Sequence, residues 1–230
     1  MISKINLSDM MKVEEKFPGV FIINGKLATR NNVPNFRPFS EQTEKIEGIE
    51  YRFWDPTRSK AAAAILKGIK EFPIKQGSKV LYLGAAHGYT CSYVANIVGE
   101  TGIIYAVEFS ERCFNEFLPI CEKYKNLVPI LADARKPELY SWIEKVDVVY
   151  CDIAQPDQTE IALRNCKEFL KPGGFLMLAV KTQSIDVTKS TKEITEQEIK
   201  KIIAAGFEVL DWKILDPFEE KHSFIVARSK

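Results

Sequence analysis

The chain has 230 residues, of which 46% are hydrophobic and 27% charged, a composition that is ordinary for a folded protein with one well-packed core and a small additional unit. Its net charge of +1 excludes the strongly basic composition that is typical of a protein binding nucleic acid tightly by itself. Five cysteines without a Cys-x-x-Cys pair, and only two histidines, favour neither a disulfide framework nor a structural zinc site.

Residues 1–54 predict a small antiparallel β domain. Val20–Ile23 and Lys26–Thr29 flank Asn24-Gly25, the pair that a two-residue type I′ hairpin favours. The segment EKIEGIEYRFW repeats this pattern around Gly48. The first residues lack the pattern of a signal peptide and no apolar run is as long as a membrane span, so we expect a cytoplasmic protein with no membrane partner.

Residues 55–230 predict a second domain, in which strands and helices alternate. Asp55 followed by Pro56 predicts a helix start before the alanine-rich segment RSKAAAAILKGI. The alternation favours a mostly parallel sheet with helices on both faces, and the short DPFEEK link makes the last two strands antiparallel. Strands are predicted at Lys79–Leu83, Gly102–Glu108, Val128–Leu131, Val146–Cys151, Gly173–Lys181, Phe207–Leu215 and Ser223–Arg228. Helices are predicted at Thr90–Val98, Glu111–Lys123, Pro137–Glu144, Gln158–Leu170 and Thr195–Ala205.

The first of these strands ends in an incomplete glycine turn, VLYLGAAHGYT. The dinucleotide-binding fingerprint would place glycines at positions 84, 86 and 89, and only Gly84 is present. A diphosphate needs a close approach to the helix N-terminus, which these glycines normally allow. S-adenosyl-L-methionine carries no phosphate and tolerates a looser turn, so the turn favours a methyl donor over NAD.

Acidic residues follow the next strands at the sheet edge where ligands bind in open α/β folds. Glu108 lies 24 residues after Gly84, close to the spacing of roughly 20 at which a carboxylate accepts hydrogen bonds from a ribose diol. Asp133 is placed to accept from an adenine amine, and Asp152 ends a third strand. Two simpler interpretations stay open: Glu108 caps the helix that begins near Ser110, and Asp133 is a turn residue.

Five motifs resemble the fibrillarin family: LYLGAAHGYT, IYAVEFS, DARKP, CDIAQPDQ and RFWDPTRSK. The resemblance covers nearly the whole chain, and the lack of a glycine–arginine tail favours the archaeal type. DIAQPDQ is specific, because most amine methyltransferases carry an Asn/Asp-Pro-Pro-aromatic motif there. The sequence departs from the family at His87 and Tyr89, where the family usually has small residues.

The resemblance implies a class I methyltransferase fold, Rossmann-like with a seven-stranded, mostly parallel sheet, preceded by the small β domain. It also implies two sets of site residues. Those implied to bind S-adenosyl-L-methionine are Gly84, Tyr89, Thr90, Glu108, Phe109, Asp133, Ala134, Asp152, Ile153, Ala154 and Gln155. The implied catalytic set is Lys60, Asp152, Lys181 and His222, with no metal.

Such a set suits methyl transfer to a ribose hydroxyl, because that weak acid needs its proton removed or its developing charge stabilised. A lysine can do either, and we expect Asp152 to hold Lys181 while Lys60 supplies a second cation. Taken singly, each side chain also has an ordinary interpretation. Lys181 can be the solvated end of a buried strand, Lys60 a surface residue and His222 a loop histidine.

The function implied by the resemblance is guide-directed 2′-O-methylation of ribose in rRNA or tRNA, as the catalytic subunit of a box C/D ribonucleoprotein. Its implied partners are a Nop-type scaffold protein, a guide RNA with its target RNA, and a kink-turn-binding protein. The local basic cluster of Arg52, Arg58 and Lys60 is expected to position one RNA segment. Two alternatives stay open, a methyltransferase acting on a protein or small molecule and a non-catalytic subunit with the same fold.

Overall fold

The computed structural model describes residues 12–230, which form a five-stranded antiparallel sheet followed by a seven-stranded, mostly parallel sheet. This confirms the predicted α/β fold class. The first sheet contains β1 (Val13–Phe17), β2 (Val20–Ile23), β3 (Lys26–Arg30), β4 (Thr43–Ile46) and β5 (Ile49–Phe53). The second contains β6 (Lys79–Leu83), β7 (Ile103–Glu108), β8 (Leu127–Leu131), β9 (Val146–Cys151), β10 (Leu170–Lys181), β11 (Phe207–Ile214) and β12 (His222–Ser229). The helices are α1 (Lys60–Leu66), α2 (Tyr89–Val98), α3 (Glu111–Cys121), α4 (Gln158–Phe169) and α5 (Thr191–Ala204).

Both hairpins predicted in the small sheet are confirmed. Asn24 and Gly25 have φ angles of 49° and 79°, and Glu47 and Gly48 have φ angles of 49° and 84°. Two consecutive positive φ angles are the geometry of a type I′ turn, which matches the twist of the strands on either side. The strand order in this sheet is β1-β2-β3-β5-β4.

The large sheet has the order β11-β12-β10-β9-β6-β7-β8, with β12 antiparallel to both of its neighbours. The DPFEEK link predicted the antiparallel pairing of β11 with β12, which is confirmed. The chain leaves β6 towards β7 and β8 and later returns to β9 on its other side. This reversal opens a crevice at the carboxyl ends of β6, β7 and β9, which is where open α/β sheets bind ligands.

The small sheet is joined to the large one by a buried polar and aromatic contact. Trp54 stacks on Tyr93 of α2 with ring centroids 4.9 Å apart. Arg52 is fully buried, and its guanidinium donates to Glu41 Oε1 and to Ser92 Oγ at 2.7 Å each. The prediction that Arg52 belongs to a basic surface was therefore wrong, because this side chain is neutralised inside the protein. The division into domains at 1–54 and 55–230 stays a prediction.

The start of α1 differs from its prediction. Asp55 caps only a short 3₁₀ turn, Pro56–Arg58, and the α-helix begins afterwards at Lys60. Ser59 is the N-cap of this helix, and its side chain accepts a hydrogen bond from the backbone of Ala62. The first helical residue is thus Lys60, which the resemblance places in the catalytic set.

Two further helices were predicted with wrong bounds. The helix predicted at Pro137–Glu144 is only a 3₁₀ turn, Pro137–Tyr140, because the chain enters β9 a few residues later and one turn is enough to bury Tyr140. Helix α5 begins four residues before the predicted Thr195, where Ser190 and Glu193 form a capping box. In residues 12–230, no helix combines the length and apolar character that crossing a bilayer requires.

Candidate active site

A cleft of about 270 Å³ opens at the carboxyl ends of β6, β7, β8 and β9. It brings together nine of the eleven residues predicted to bind the cofactor. They are Gly84, Glu108, Phe109, Asp133, Ala134, Asp152, Ile153, Ala154 and Gln155. Since parallel strands end at a common edge, residues far apart in sequence meet here.

Gly84 allows β6 and β9 to end against each other. It has a φ angle of 86°, and a Cβ atom there would lie 2.4 Å from the backbone oxygen of Asp152 and 2.9 Å from Ile153 Cγ2. Its N–H and that of Ala85 both donate to the Val107 carbonyl, at 2.9 and 3.0 Å. The close approach of the two strand ends is therefore enough to require a glycine at this position, and no phosphate-binding role is needed to explain it.

Glu108 connects the turn after β6 with the start of α3. Its Oε2 accepts from the Ala86 N–H and its Oε1 from the Ser110 N–H, both at 2.7 Å. The N-cap of α3 is Ser110 itself, whose side chain accepts from Cys113. The capping interpretation of Glu108 is therefore part of what this residue does, since it accepts from the N–H of the N-cap residue, although Ser110 is the N-cap itself. Two of about four acceptor positions on the carboxylate remain available for a diol.

Asp133 forms a local turn and a bidentate ion pair at once. Its Oδ1 accepts from the Arg135 backbone at 2.9 Å, and its Oδ2 lies 2.8 Å from Arg135 Nη2. The hydrogen bonds from Arg135 hold the pKa of Asp133 below its usual range, so this carboxylate is ionised at neutral pH. The turn interpretation is thus part of what this residue does, and Arg135, which lines the same cleft, was not predicted.

Two predicted cofactor residues, Tyr89 and Thr90, do not line the cleft. The Tyr89 ring packs against Phe39 of the small sheet region, and its hydroxyl accepts from the Asp55 backbone at 3.1 Å. Thr90 is buried, and its hydroxyl donates to Ser59 Oγ at 3.0 Å. Their side chains stabilise the connection to the small sheet and to α1.

The glycine that allows close helix packing is Gly88. It is the N-cap of α2 with a φ angle of 85°, and a Cβ atom there would lie 2.3 Å from the Phe117 ring of α3. The close approach thus falls one residue before Tyr89. A tyrosine is tolerated at position 89 because its side chain faces the other side of the helix start.

The four predicted catalytic residues come from four different elements and meet beside the cleft. Lys60 begins α1, and its Nζ lies 3.2 Å from Asp152 Oδ1 at the end of β9. Lys181 is paired directly with His222 in the β10–β12 ladder. Asp152 lines the cleft as well, so it connects the catalytic set with the predicted cofactor site.

The expected pairing of Asp152 with Lys181 was wrong, since in the described residues the carboxylate is paired with Lys60. Burial acts to lower the pKa of Lys60, but the charges of Asp152 and Glu219 outweigh it and raise the pKa above its ordinary value. Lys60 therefore stays protonated at neutral pH and acts as a fixed cation.

Burial lowers the pKa of His222 below its ordinary value, and the charges of Lys60 and Lys181 lower it further; the hydrogen bond to Glu220 and the charge of Asp152 oppose this shift without cancelling it, so the neutral ring predominates at pH 7. Its Nδ1 lies 2.8 Å from the Glu220 carbonyl oxygen. Since a carbonyl only accepts, the ring proton is on Nδ1 and the Nε2 lone pair is left to accept a proton.

Glu219 was missed by sequence reasoning. Its carboxylate lies 3.9 Å from His222 Nδ1. Burial raises its pKa, an effect that the positive charges of Lys60 and Lys181 reduce but do not cancel. The residue lies in the loop between β11 and β12, where no periodic pattern indicates which side chains turn inward. In residues 12–230, no group of three or more His, Cys, Asp or Glu side chains is arranged to hold a metal ion.

A family model and relatives of high sequence identity agree on one protein family. Residues 11–230 match the family model described as Fibrillarin. A fibrillarin-like rRNA/tRNA 2′-O-methyltransferase of Thermococcus gammatolerans is 50% identical over 95% of this chain and 99% of its own length.

Two solved structures are close in fold. Aeropyrum pernix fibrillarin in complex with natively bound S-adenosyl-L-methionine has a TM-score of 0.87 at 42% identity, over 94% of this chain and 97% of that one. A fibrillarin/Nop5p complex has a TM-score of 0.85 at 39% identity, over 94% of this chain and all of that one. With the family model matched over nearly the whole length and half of the residues shared with a relative, this chain belongs to the fibrillarin family.

Proposed function

We propose that this chain transfers a methyl group from S-adenosyl-L-methionine to the 2′-hydroxyl of ribose in rRNA or tRNA, as the catalytic subunit of a box C/D ribonucleoprotein. The observation that carries the proposal is the position of Asp152. This residue both lines the cleft and holds Lys60 beside Lys181 and His222. The family membership and the names of the relatives support the same reaction.

The residues of the cleft suit the methyl donor. Glu108 keeps acceptor positions for a ribose diol, the turn after β6 has no glycine at position 86 or 89, and Asp133 supplies an ionised carboxylate. When bound, S-adenosylmethionine supplies an electrophilic methyl group for in-line displacement. We assign its binding to the nine predicted residues that line the cleft.

The neighbouring cluster suits the substrate hydroxyl. Lys60, fixed by Asp152, places a permanent positive charge where negative charge develops on the ribose oxygen. Lys181 brings a second amine from the adjacent strand, and His222 presents an unprotonated Nε2. The set therefore combines charge stabilisation with a proton acceptor, which is what a weakly acidic nucleophile needs.

Recognition of the RNA is assigned mainly to partners. The chain has 32 basic and 31 acidic side chains, and binding to many phosphates would need a dense basic surface. We propose that a Nop-type scaffold, a guide RNA and a kink-turn-binding protein provide the remaining affinity and the choice of target. The cytoplasmic location stays a prediction.

The proposal is tested by methyl transfer into a guide-paired RNA, with radiolabelled cofactor, in the presence and absence of the other proteins of the particle. We expect methylation of one guide-selected nucleotide in the assembled particle, and weak, salt-sensitive RNA binding by the chain alone. Label in proteins or small molecules but not in RNA would favour the alternative methyltransferase. No transfer to any acceptor would favour the non-catalytic subunit. Efficient site-specific methylation without guide or scaffold would contradict the dependence on partners.

We assign the scaffold contact to an edge patch of three large hydrophobic side chains on segments around the edge strand β8. Their exposed fractions lie between 47% and 64%, and they are three of the seven exposed large hydrophobics in residues 12–230. They are Leu131, Leu139 and Trp142.

Replacing Trp142 with glutamate is expected to weaken binding of the purified scaffold by at least about tenfold, because aromatic side chains dominate such contacts. Affinities measured by calorimetry would show it, with S-adenosylmethionine binding unchanged. The matched control is Ile203→Glu, which alters a side chain of α5 exposed to 53%. Equal scaffold affinities for both variants would remove the edge patch from the interface.

A further inference from the structure

Lys181 lies at the end of β10, past the last residue of β10 that pairs with the parallel strand β9. The ladder between β9 and β10 ends at the pair Cys151 and Leu178, three residues before Lys181. On the other side of β10, the backbone of Thr182 donates to the Lys221 carbonyl of the segment entering β12. Because successive residues of a strand point their backbone groups to opposite sides, the N–H and C=O of Lys181 face the side that β9 has already left.

Gln158 occupies this place. It is the first residue of α4 and is completely buried. Its amide oxygen accepts from the Lys181 N–H at 3.0 Å, and its amide nitrogen donates to the Lys181 carbonyl at 3.2 Å. The same nitrogen donates to the Gln155 carbonyl at 3.1 Å. One side chain thus replaces the missing strand for Lys181 and connects it to the loop that lines the cleft.

We infer that Gln158 is a positioning residue, which sets the location of Lys181 relative to the cofactor cleft through these three hydrogen bonds. The inference rests on the proposed methyl transfer and adds a residue to it. An amide is suited to the task because it offers a donor and an acceptor in one plane, as a backbone peptide of a paired strand does. Buried groups with good partners hold a geometry firmly, since leaving any of them unpaired is costly.

A purely structural role makes a different prediction. In that case the loss of Gln158 would lower stability, while the enzyme molecules that remain folded would turn over at the normal rate. A positioning role predicts a fall in kcat with little change in cofactor affinity, since displacement of a catalytic group by about 1 Å costs on the order of 10²-fold in rate.

The test uses Gln158→Met, which keeps the length of the side chain and removes all three hydrogen bonds. In the assembled particle we expect kcat for RNA methylation to fall by about 10- to 100-fold, and the Kd for S-adenosylmethionine to stay within about threefold. In the chain alone, the Lys181 amide should lose protection from hydrogen exchange measured by NMR, because its acceptor is gone.

The matched control is Asn126→Leu. The Asn126 amide donates to the Ala95 and Gly99 carbonyls at 2.8 Å each, just before β8 and at the opposite end of the sheet. This variant should lose stability and keep both kcat and the exchange protection of Lys181. Equal losses of kcat in the two variants would reduce Gln158 to a structural residue.

Gln158→Glu adds a pH readout. The ionised carboxylate can accept from the Lys181 N–H, but its second oxygen faces the carbonyls of Lys181 and Gln155 and repels them. Protonation supplies an O–H that donates to one of these carbonyls, so the ratio of variant to wild-type kcat should rise as pH falls. A ratio independent of pH would contradict this arrangement.

The outcomes separate the inference from the proposed function. A wild-type particle that methylates no RNA refutes the proposed function, and the exchange measurement still decides whether Gln158 holds Lys181. A wild-type particle that is active, together with unchanged kcat in Gln158→Met, refutes the positioning role alone.

Discussion

Replacing Lys181 with alanine is expected to reduce methyl transfer by about 10²- to 10⁴-fold, the range typical for loss of a group acting on a proton or a developing charge. Cofactor binding should survive, because Lys181 does not line the cleft. Asp152→Ala should weaken both methyl transfer and cofactor binding, because Asp152 lines the cleft and also holds Lys60. Single-turnover methylation of guide-paired RNA and calorimetric titration of S-adenosylmethionine measure the two effects separately.

The matched control is Lys171→Ala on the same strand. Lys171 lies near the other end of β10, where its Nζ is 2.6 Å from Asp147 Oδ1 in a partly exposed ion pair. Such pairs contribute only about 0–1 kcal/mol, so this variant should methylate normally. Wild-type rates for Lys181→Ala would exclude the lysine from the mechanism.

The location of the site was predictable because it depends on strand ends. Glu108 and Asp152 each follow a recognisable apolar run, and parallel strands that alternate with helices end at one edge of the sheet. Once the strands were identified, these residues had to meet, and the structure places them around one cleft.

The orientation of side chains at a helix start was not predictable in the same way. Counting positions from Gly84 placed Tyr89 at the point of close helix packing. The helix in fact begins after Gly88, and this shift of one residue turns the Tyr89 ring towards Phe39. A spacing rule identifies the turn, but the direction of each side chain depends on where the N-cap falls.

Pairing within the catalytic set was also beyond the sequence. The catalytic set contains two lysines, Lys60 and Lys181, and the sequence motif alone does not indicate which of them forms the ion pair with Asp152. The choice of Lys60 depends on Ser59, which begins α1 with Lys60 as its first residue and so places this side chain beside the end of β9. Glu219 lies in a loop, and its burial results from tertiary contacts that no local pattern records.

Gly84→Ala is expected to lower methylation by at least about 10²-fold, which is the loss of rate that a displacement of about 1 Å causes, and to weaken the binding of S-adenosylmethionine. A Cβ atom at this position would meet the Asp152 carbonyl oxygen at 2.4 Å and its carbonyl carbon at 3.0 Å. These are backbone atoms, so the end of β9 must move, and with it the residues that line the cleft and hold Lys60. The φ angle of 86° adds strain of about 1–2 kcal/mol for any residue with a Cβ.

Gly206→Ala separates these two effects. Gly206 has a φ angle of 90°, but a Cβ atom there would have nothing within 4 Å. This control therefore carries the backbone strain without the collision, in the turn between α5 and β11. It should lower the melting temperature and leave cofactor affinity unchanged, because the cleft is not disturbed. Calorimetric titration of both variants decides the matter: if Gly84→Ala binds S-adenosylmethionine as tightly as Gly206→Ala, the contact between the ends of β6 and β9 does not shape the cleft.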